Sequence, residues 1–264
     1  MTWNVNSYTQ NKHEKVLEML QDLDVLFLTE TKKSKQVIKS DFQFPNDFTV
    51  IINSHNPKQY HGVLMLVRKL FKPLIITSLF SIFPRRDCLD GSGTSGRIIT
   101  VKLNNGVIIV GTYSPNSGSK KKNLSYRINE WDKNLFTGLN KLRKWSSLNS
   151  KETPVIWLGD INVAPTINDI SDPIRMANFA GYTLEERTNF RNFLDSGWID
   201  VYRHLNPQET NCYTWIGNRG WENYGMRLDN IIISDTYTNN IESIKIHNDI
   251  KKSDHVPLSA IFSF

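Results

Sequence analysis

Apolar positions along this chain fall into short runs closed by turn residues, with a few longer stretches at helical spacing between them. Near the middle, Val155-Ile156-Trp157-Leu158 empties into Gly159-Asp160-Ile161-Asn162. Apolar residues with a β-branched pair, closed by a glycine, predict a buried strand with Asp160 and Asn162 at its mouth. If the chain stays extended there, the one residue between them puts both side chains on the same face. A calcium-loop reading fails, because counting from Asp160 the sixth position is Pro165 and the twelfth is Ser171, where glycine and glutamate are required. An isolated Gly-Asp is as often a turn cap as a site, so the rest of the chain has to decide.

In chain order, Trp3-Asn4-Val5-Asn6 alternates as a half-buried strand does, with Asn4 and Asn6 on one face. Val16, Leu17, Leu20 and Leu23 recur at helical spacing, and Val25-Leu26-Phe27-Leu28 is a second strand running into Thr29-Glu30-Thr31-Lys32. Strand-like runs follow at Phe48 to Ile52, Gly62 to Val67 and Leu74 to Thr77, then a Gly- and Ser-rich loop from Asp87 to Ser95. Ile98 to Leu103 and Val107 to Tyr113 flank Asn104-Asn105-Gly106, a hairpin signal that requires positive φ. Tyr113-Ser114-Pro115-Asn116 then fixes a phenol and an amide at a strand end. Ile128, Trp131, Leu135, Leu139 and Leu142 predict a helix over Tyr126 to Trp145, with Arg127 on a neighbouring face. Thr183 and Glu186 form a capping box for another helix bearing Phe190, Phe193 and Leu194. The last third returns to strands at Leu228 to Ile233, Ile241 to Ile246 and Val256 to Phe262.

These elements predict an α/β (α+β) fold, a four-layer α/β sandwich of two packed mixed, largely antiparallel β-sheets flanked by helices, in a single domain over residues 1–264. Polar residues collect at strand ends: Asn4, Asn6, Glu30, Tyr113, Asn116, Asp160, Asn162, Asp229, Asp254 and His255. One strand-end acid is usually a turn residue, whereas a group spread over the whole chain points to one crevice at an edge of the sandwich.

Composition adds little to the fold but narrows the setting. The 264 residues are 39% apolar and 11% aromatic, enough for a large core. A net charge of +6 suits an anionic partner, although modest lysine excess also serves solubility. Cys88 and Cys212 make no disulfide framework, so a reducing compartment is expected. No stretch approaches the ~20 apolar residues of a membrane span. A soluble intracellular protein with no membrane partner is expected, nucleus and cytoplasm being indistinguishable.

Several of these stretches also spell out a family. Trp3-Asn4-Val5-Asn6, Leu28-Thr29-Glu30-Thr31-Lys32, Gly96-Arg97, Tyr113-Ser114-Pro115-Asn116-Ser117-Gly118, Gly159-Asp160-Ile161-Asn162-Val163-Ala164 with Asp169, Arg227-Leu228-Asp229 and Ser253-Asp254-His255 resemble the exonuclease III family of apurinic/apyrimidinic endonucleases. The wider resemblance is to the endonuclease/exonuclease/phosphatase superfamily, and it covers essentially the whole chain. Gly181-Tyr182-Thr183 with Glu186-Arg187, Asp200-Val201-Tyr202-Arg203 with Pro207, and Tyr213-Thr214-Trp215 are more specific, and together they resemble the abasic-site branch.

The resemblance implies a divalent-metal-dependent DNA repair endonuclease that cuts 5′ of abasic sites in duplex DNA, with weaker 3′-5′ exonuclease activity, acting as a monomer. Mg²⁺ is the implied cofactor, with Mn²⁺ able to substitute. Asn6, Glu30 and Asp254 are the implied metal ligands, with Asp160, Asn162 and His255 completing the site or holding a second ion. Asp160 is the implied base, Asn162 a donor to the phosphoryl oxygens, and His255 a phosphate contact held by Asp229. Tyr113 and Asn116 add hydrogen bonds, and Asn4 orients ligands from behind.

Lys32, Tyr60, Arg97 and Arg127 match positions near nucleic acid, and Trp215, Trp221, Met226 and Arg227 belong to an aromatic-basic loop suited to a minor-groove wedge and an abasic-sugar pocket. The chain departs from the family pattern at Ser7-Tyr8-Thr9, where Gly-Leu-Arg is usual, at Ser119 in place of an inserting arginine, and at Met226 in place of an aromatic. How DNA is penetrated stays open at this point. A phosphoinositide phosphatase of the same superfamily shares the acids and His255 but not the aromatic-basic loop. A general or retroelement-type nuclease lacks the Gly181-Tyr182-Thr183 stretch.

Overall fold

The computed structural model describes residues 1–54, 60–76, 96–147, 154–218 and 223–264. Thr77, the loop expected at Asp87 to Ser95, Cys88 and Trp221 lie outside the described residues.

The elements run β1 (Thr2–Asn4), α1 (Gln10–Met19), β2 (Val25–Thr29), α2 (Lys35–Asp41), β3 (Phe48–Asn53), β4 (Val63–Arg68), β5 (Leu74–Ile75), β6 (Ile98–Lys102) and β7 (Ile108–Tyr113). They continue with α3 (Leu124–Tyr126), α4 (Lys133–Ser147), β8 (Val155–Asp160), α5 (Leu184–Leu194), β9 (Trp198–Asp200), α6 (Val201–Leu205), β10 (Trp215–Asn218), β11 (Asn223–Met226), β12 (Asp229–Ser234), β13 (Ile241–Ile246) and β14 (Leu258–Phe262). One six-stranded sheet has the order β13-β14-β1-β2-β4-β3 and the other β5-β6-β7-β8-β12-β9, while β10 and β11 form a separate ribbon. The expected pair of mixed sheets with flanking helices is what the chain builds. Among the described residues no helix is long and apolar enough to cross a membrane.

Each sheet contains one parallel pair, β1 with β2 and β7 with β8, and its other pairs are antiparallel. Parallel neighbours need a crossover, and the helices supplying it, α1 in one case and α3 with α4 in the other, cover the outer faces. These central strands are therefore buried on both sides, which is why they read as unbroken apolar runs. Phe27 and Leu158 point between the sheets with Met65, Ile109 and Ile231. Leu26 and Leu28 point the other way, to a layer with Trp3 and Val16. Trp157 likewise meets Leu135, Leu139, Leu142, Phe190 and Phe193. Burying each of those three leucines contributes roughly 1.5–3 kcal/mol. That outweighs the cost of about 1 kcal/mol for Gly138 inside α4.

One expectation needs adjustment. The helix expected to run from Tyr126 begins with α3 and passes through a π-helical turn at Arg127–Asp132 before α4. Arg127, expected on a neighbouring face of that helix, lies in the wider turn and is buried. The hairpin between β6 and β7 forms as expected, Ile98 pairing with Thr112 and Lys102 with Ile108, with Gly106 at φ 93°. The capping box at Thr183 and Glu186 is also present.

Candidate active site

The two parallel pairs end at the same edge of the sandwich. Asn4 lies opposite Thr29 and just ahead of Glu30. In the other sheet Tyr113 lies opposite Asp160, and Asp160 opposite Asp229. Gly159 is what lets the two strands close at this point: it sits at φ 139°, and a Cβ there would come 1.9 Å from the Thr112 carbonyl oxygen. Beyond the strand ends the backbone turns sharply, with Asn6, Ser7, Glu30, Lys32 and Asn162 all at positive φ without being glycine. Such residues cost of order 1–3 kcal/mol each and collect where surrounding structure holds a site in place.

Asn4 ties the two sheets together. Its buried amide donates to Glu30 Oε1 at 2.9 Å and to Asp160 Oδ2 at 2.8 Å. Its carbonyl oxygen accepts from the Asn6 backbone N–H at 2.9 Å, which fixes the amide's orientation. Glu30 also accepts from the Tyr113 hydroxyl at 2.8 Å and pairs with the Lys32 ammonium at 2.7 Å. Burial alone pushes the Glu30 carboxyl up, but hydrogen bonds from Asn4 and Lys32, the Lys32 charge and the Tyr113 hydroxyl together hold it below its ordinary range. Burial and the charges of Glu30 and Asp160 keep the Tyr113 phenol well above its usual range, hence neutral. Asn6 donates to Asp254 Oδ1 at 3.0 Å, and Asp254 Oδ2 accepts from the Trp215 indole at 3.3 Å.

Lys32 shows what this corner attracts. Its ammonium lies between Glu30 Oε2 and Asn6 Oδ1, 2.7 Å from one and 2.5 Å from the other, as a cation standing between two oxygen ligands. Carboxylate and amide oxygens are hard donors of the kind Mg²⁺ prefers. Glu30, Asn6 and Asp254 therefore fit a divalent ion.

Deeper in the cleft, His255 Nδ1 meets Asp229 Oδ2 at 2.6 Å. Burial favours the neutral ring, but the charge and hydrogen bond of Asp229, with Asp160 and Asp254 beyond, push its pKa up to about 10. Burial pushes Asp160 up as well, and the Asp229 charge adds to it, so that its pKa reaches about 7 against the pull of His255. One ligand atom each from Asp160, Asp229 and His255 lies within 4.8 Å of the others, close enough to share an ion. The imidazole, however, spends Nδ1 on Asp229 and holds a proton at neutral pH, whereas a metal ligand must give it up. The charged ring suits the phosphate contact expected of His255, and the ligand role also expected of it would fall to Nε2 once that proton is lost. Asn162 donates to the Ser114 carbonyl at 2.9 Å and accepts from Asn116 at 2.9 Å. Among the described residues the second amide proton of Asn162 meets no acceptor, and it can serve a substrate oxygen.

The expected nucleic-acid residues divide. Tyr60 is exposed, Lys32 half-buried, and Trp215 half-buried beside Asp254. Arg97 donates to the Tyr113 carbonyl at 3.0 Å and lies over its ring, bracing that tyrosine. Arg127 does not face DNA. It is buried, pairs with Asp132 at 2.8 Å and donates to the carbonyls of Pro115 at 2.8 Å and Ile161 at 2.6 Å, clamping the Asn116 loop to the Asn162 loop. Arg227 is equally unavailable, held at 0% exposure by Asp169 at 2.6 Å and Asp200 at 2.7 Å. Met226 is 2% exposed, packed with Ile170, Met176, Tyr182 and Leu228, so it underlies the surface instead of lining an open pocket.

Two supports are not evident from the residue pattern. Thr214 Oγ1 accepts from the backbone N–H of Leu228 and of Asp229 at 3.0 and 2.9 Å, fixing the start of β12. The Trp3 indole donates to the His255 carbonyl at 3.0 Å. Thr214 lies within the Tyr213-Thr214-Trp215 stretch and Trp3 within Trp3-Asn4-Val5-Asn6, but neither contact is visible in the residue pattern.

The profile described as the Endonuclease/Exonuclease/phosphatase family matches residues 1–255. A DNA-(apurinic or apyrimidinic site) endonuclease from Dictyostelium discoideum is 34% identical over 99% of this chain and 69% of its own length. An exodeoxyribonuclease from Bacillus subtilis is 29% identical over 100% of this chain and 98% of its own. Among solved structures, the AP endonuclease LMAP from Leishmania major superposes with a TM-score of 0.86 at 22% identity, covering 100% of this chain and 86% of that one.

Proposed function

The chain belongs to the Endonuclease/Exonuclease/phosphatase family, and from that premise we propose a DNA repair nuclease that hydrolyses the phosphodiester 5′ of an abasic site in duplex DNA and also trims 3′ ends more weakly. The observation that carries this reading is the Asn4 amide, which spans Glu30 and Asp160 and so sets the metal-binding corner and the proton-handling corner on either side of one group. A bound Mg²⁺, or Mn²⁺ in its place, held by Glu30, Asn6 and Asp254, would neutralise charge developing on a phosphoryl oxygen and on the leaving oxygen.

The chain's own groups do the rest. Asp160, with a pKa of about 7, is poised to take a proton from water near neutral pH. The water oxygen bonds to phosphorus as the bond to the 3′ oxygen breaks, and that oxygen takes a proton from solvent and leaves as a 3′-hydroxyl. The His255 imidazolium and the remaining Asn162 amide proton face charge on the phosphoryl oxygens, a contribution that exists only where charge develops. Asp229 keeps the ring charged and oriented.

Preference for abasic sites follows from cost. Extruding a nucleotide with no base to unstack saves on the order of a few kcal/mol, and Trp215 at the mouth, resting on the Met226 layer, supports a compact surface for a bare sugar.

The test is incubation of purified protein with abasic duplex, intact duplex and a phosphoinositide, in Mg²⁺ and then in EDTA. Incision 5′ of the abasic site, dependent on the ion and slowed by orders of magnitude in Asp160→Asn, is expected. Equal cleavage of intact duplex would point to a general nuclease, and phosphate release from the lipid alone to a phosphatase.

A further inference from the structure

The loop that carries Asn6 bends in an unusual way. Asn6 at φ 39° and Ser7 at φ 79° are consecutive non-glycine residues in the left-handed region, a conformation L side chains resist. The bend turns three successive carbonyls, those of Val5, Asn6 and Ser7, toward one point. The ammonium of Lys12, in the first turn of α1, occupies that point. It donates to the Ser7 oxygen at 3.0 Å, to the Asn6 oxygen at 3.2 Å and to the Val5 oxygen. A lysine ammonium has three protons and no acceptor, so three carbonyls satisfy it completely. Lys12 is half-buried, and among the described residues its ammonium donates only to these carbonyls and to no carboxylate.

We propose that Lys12 is a positioning residue for the metal corner: an internal cation that holds residues 5–7 in their strained bend and thereby aims Asn6 and Asn4. The connection runs through named bonds. The Asn6 backbone N–H fixes the Asn4 carbonyl, leaving the Asn4 amide to face Glu30 and Asp160. The Ser7 N–H donates to the Glu30 carbonyl at 2.7 Å and the Tyr8 N–H to the Thr31 carbonyl at 2.8 Å, docking the same loop on the residues around Glu30. The Asn6 side chain then reaches Asp254. With Lys12 gone, three converging carbonyl dipoles repel one another and the bend opens. Lys12 touches neither substrate nor ion in this arrangement. The inference rests on the reading of Glu30, Asn6 and Asp254 as the metal corner.

Charge and position predict opposite signs, which makes the proposal testable. Deleting a positive charge near a divalent-ion site should, by Coulomb's law alone, tighten ion binding. If Lys12 acts by position, Lys12→Met instead weakens Mn²⁺ binding, read by electron paramagnetic resonance without DNA, by about 10- to 100-fold, the range for groups that orient ligands from behind. Adding Ser7→Gly, which removes the steric cost of φ 79°, should restore most of that loss. Backbone amide exchange at Ser7 and Tyr8, measured without metal, should speed up by at least about tenfold in Lys12→Met and slow again in the double variant. Unchanged or tighter Mn²⁺ binding in Lys12→Met overturns the proposal, as does unchanged exchange at Ser7 and Tyr8. A wild-type protein that binds no Mn²⁺ but shows the exchange difference would refute the metal corner itself, and with it the part assigned to Lys12 there.

Discussion

His255 and Asp229 meet at 2.6 Å with Asp229 fully buried and its second oxygen, Oδ1, lacking any hydrogen-bond partner among the described residues. A buried carboxylate with one free oxygen is expensive, and here its charge is balanced chiefly by the imidazolium. The pair therefore acts as a unit: Asp229 keeps the ring protonated up to a pKa of about 10, and the ring keeps Asp229 from being an uncompensated charge.

A pH profile should expose that unit. The proposed mechanism needs Asp160 without its proton and His255 with it, so kcat/KM should rise through pH about 7 and fall through about 10. In Asp229→Asn the ring loses the charge that raised it, and the alkaline limb should move toward neutrality with turnover reduced by orders of magnitude. An alkaline limb in the same place in that variant would separate His255 from it.

Glu30→Gln tests the metal corner. The substitution keeps size and the hydrogen bond from Asn4 but removes the charge that pairs with Lys32 at 2.7 Å. Mg²⁺ titrations should show weaker half-saturation and most activity lost at low ion concentration. Full activity of this variant in millimolar EDTA would argue for a reaction without the ion.

Gly159 predicts a stability effect at the strand end carrying Asp160. An added Cβ would lie 1.9 Å from the Thr112 oxygen and 3.1 Å from the Phe27 ring. Overpacking and left-handed strain together should make Gly159→Ala destabilising by roughly 3 kcal/mol or more. Urea unfolding compared with wild type measures it directly.

Acid should attack the network under the site. Burial pushes Asp169 up, yet Arg227, with hydrogen bonds from Arg227, Thr166 and Arg203, brings its pKa down to about 2 from 3.8. A depressed folded-state value means its stabilisation is present above pH about 4 and is lost as pH falls toward 2. That corresponds to roughly 2–3 kcal/mol. Asp169→Asn should lose stability at neutral pH, where its charge neutralised Arg227, and should flatten the stability curve over that acid window.

What the residues determined on their own is local. Apolar runs such as Val155 to Leu158 announced strands because burial on both faces leaves no polar position to fill. The abrupt change to Gly-Asp-Ile-Asn marked where that burial ends, and Thr183 with Glu186 marked a helix start because a cap involves neighbours three residues apart. Motif resemblance extended this to Glu30, Asp229 and His255. What only the tertiary structure decided is which charge answers which. Arg127 and Arg227 read as surface cations until Asp132, Asp169 and Asp200 close on them, and Met226 reads as a pocket wall until Ile170 and Tyr182 cover it. His255 stands 26 residues from Asp229, Asp160 stands 156 from Asn4, and Trp3 stands 252 from His255. Periodicity reports the backbone and its immediate burial, whereas the state of an ionisable group depends on neighbours that only the packing of two sheets brings within hydrogen-bond reach.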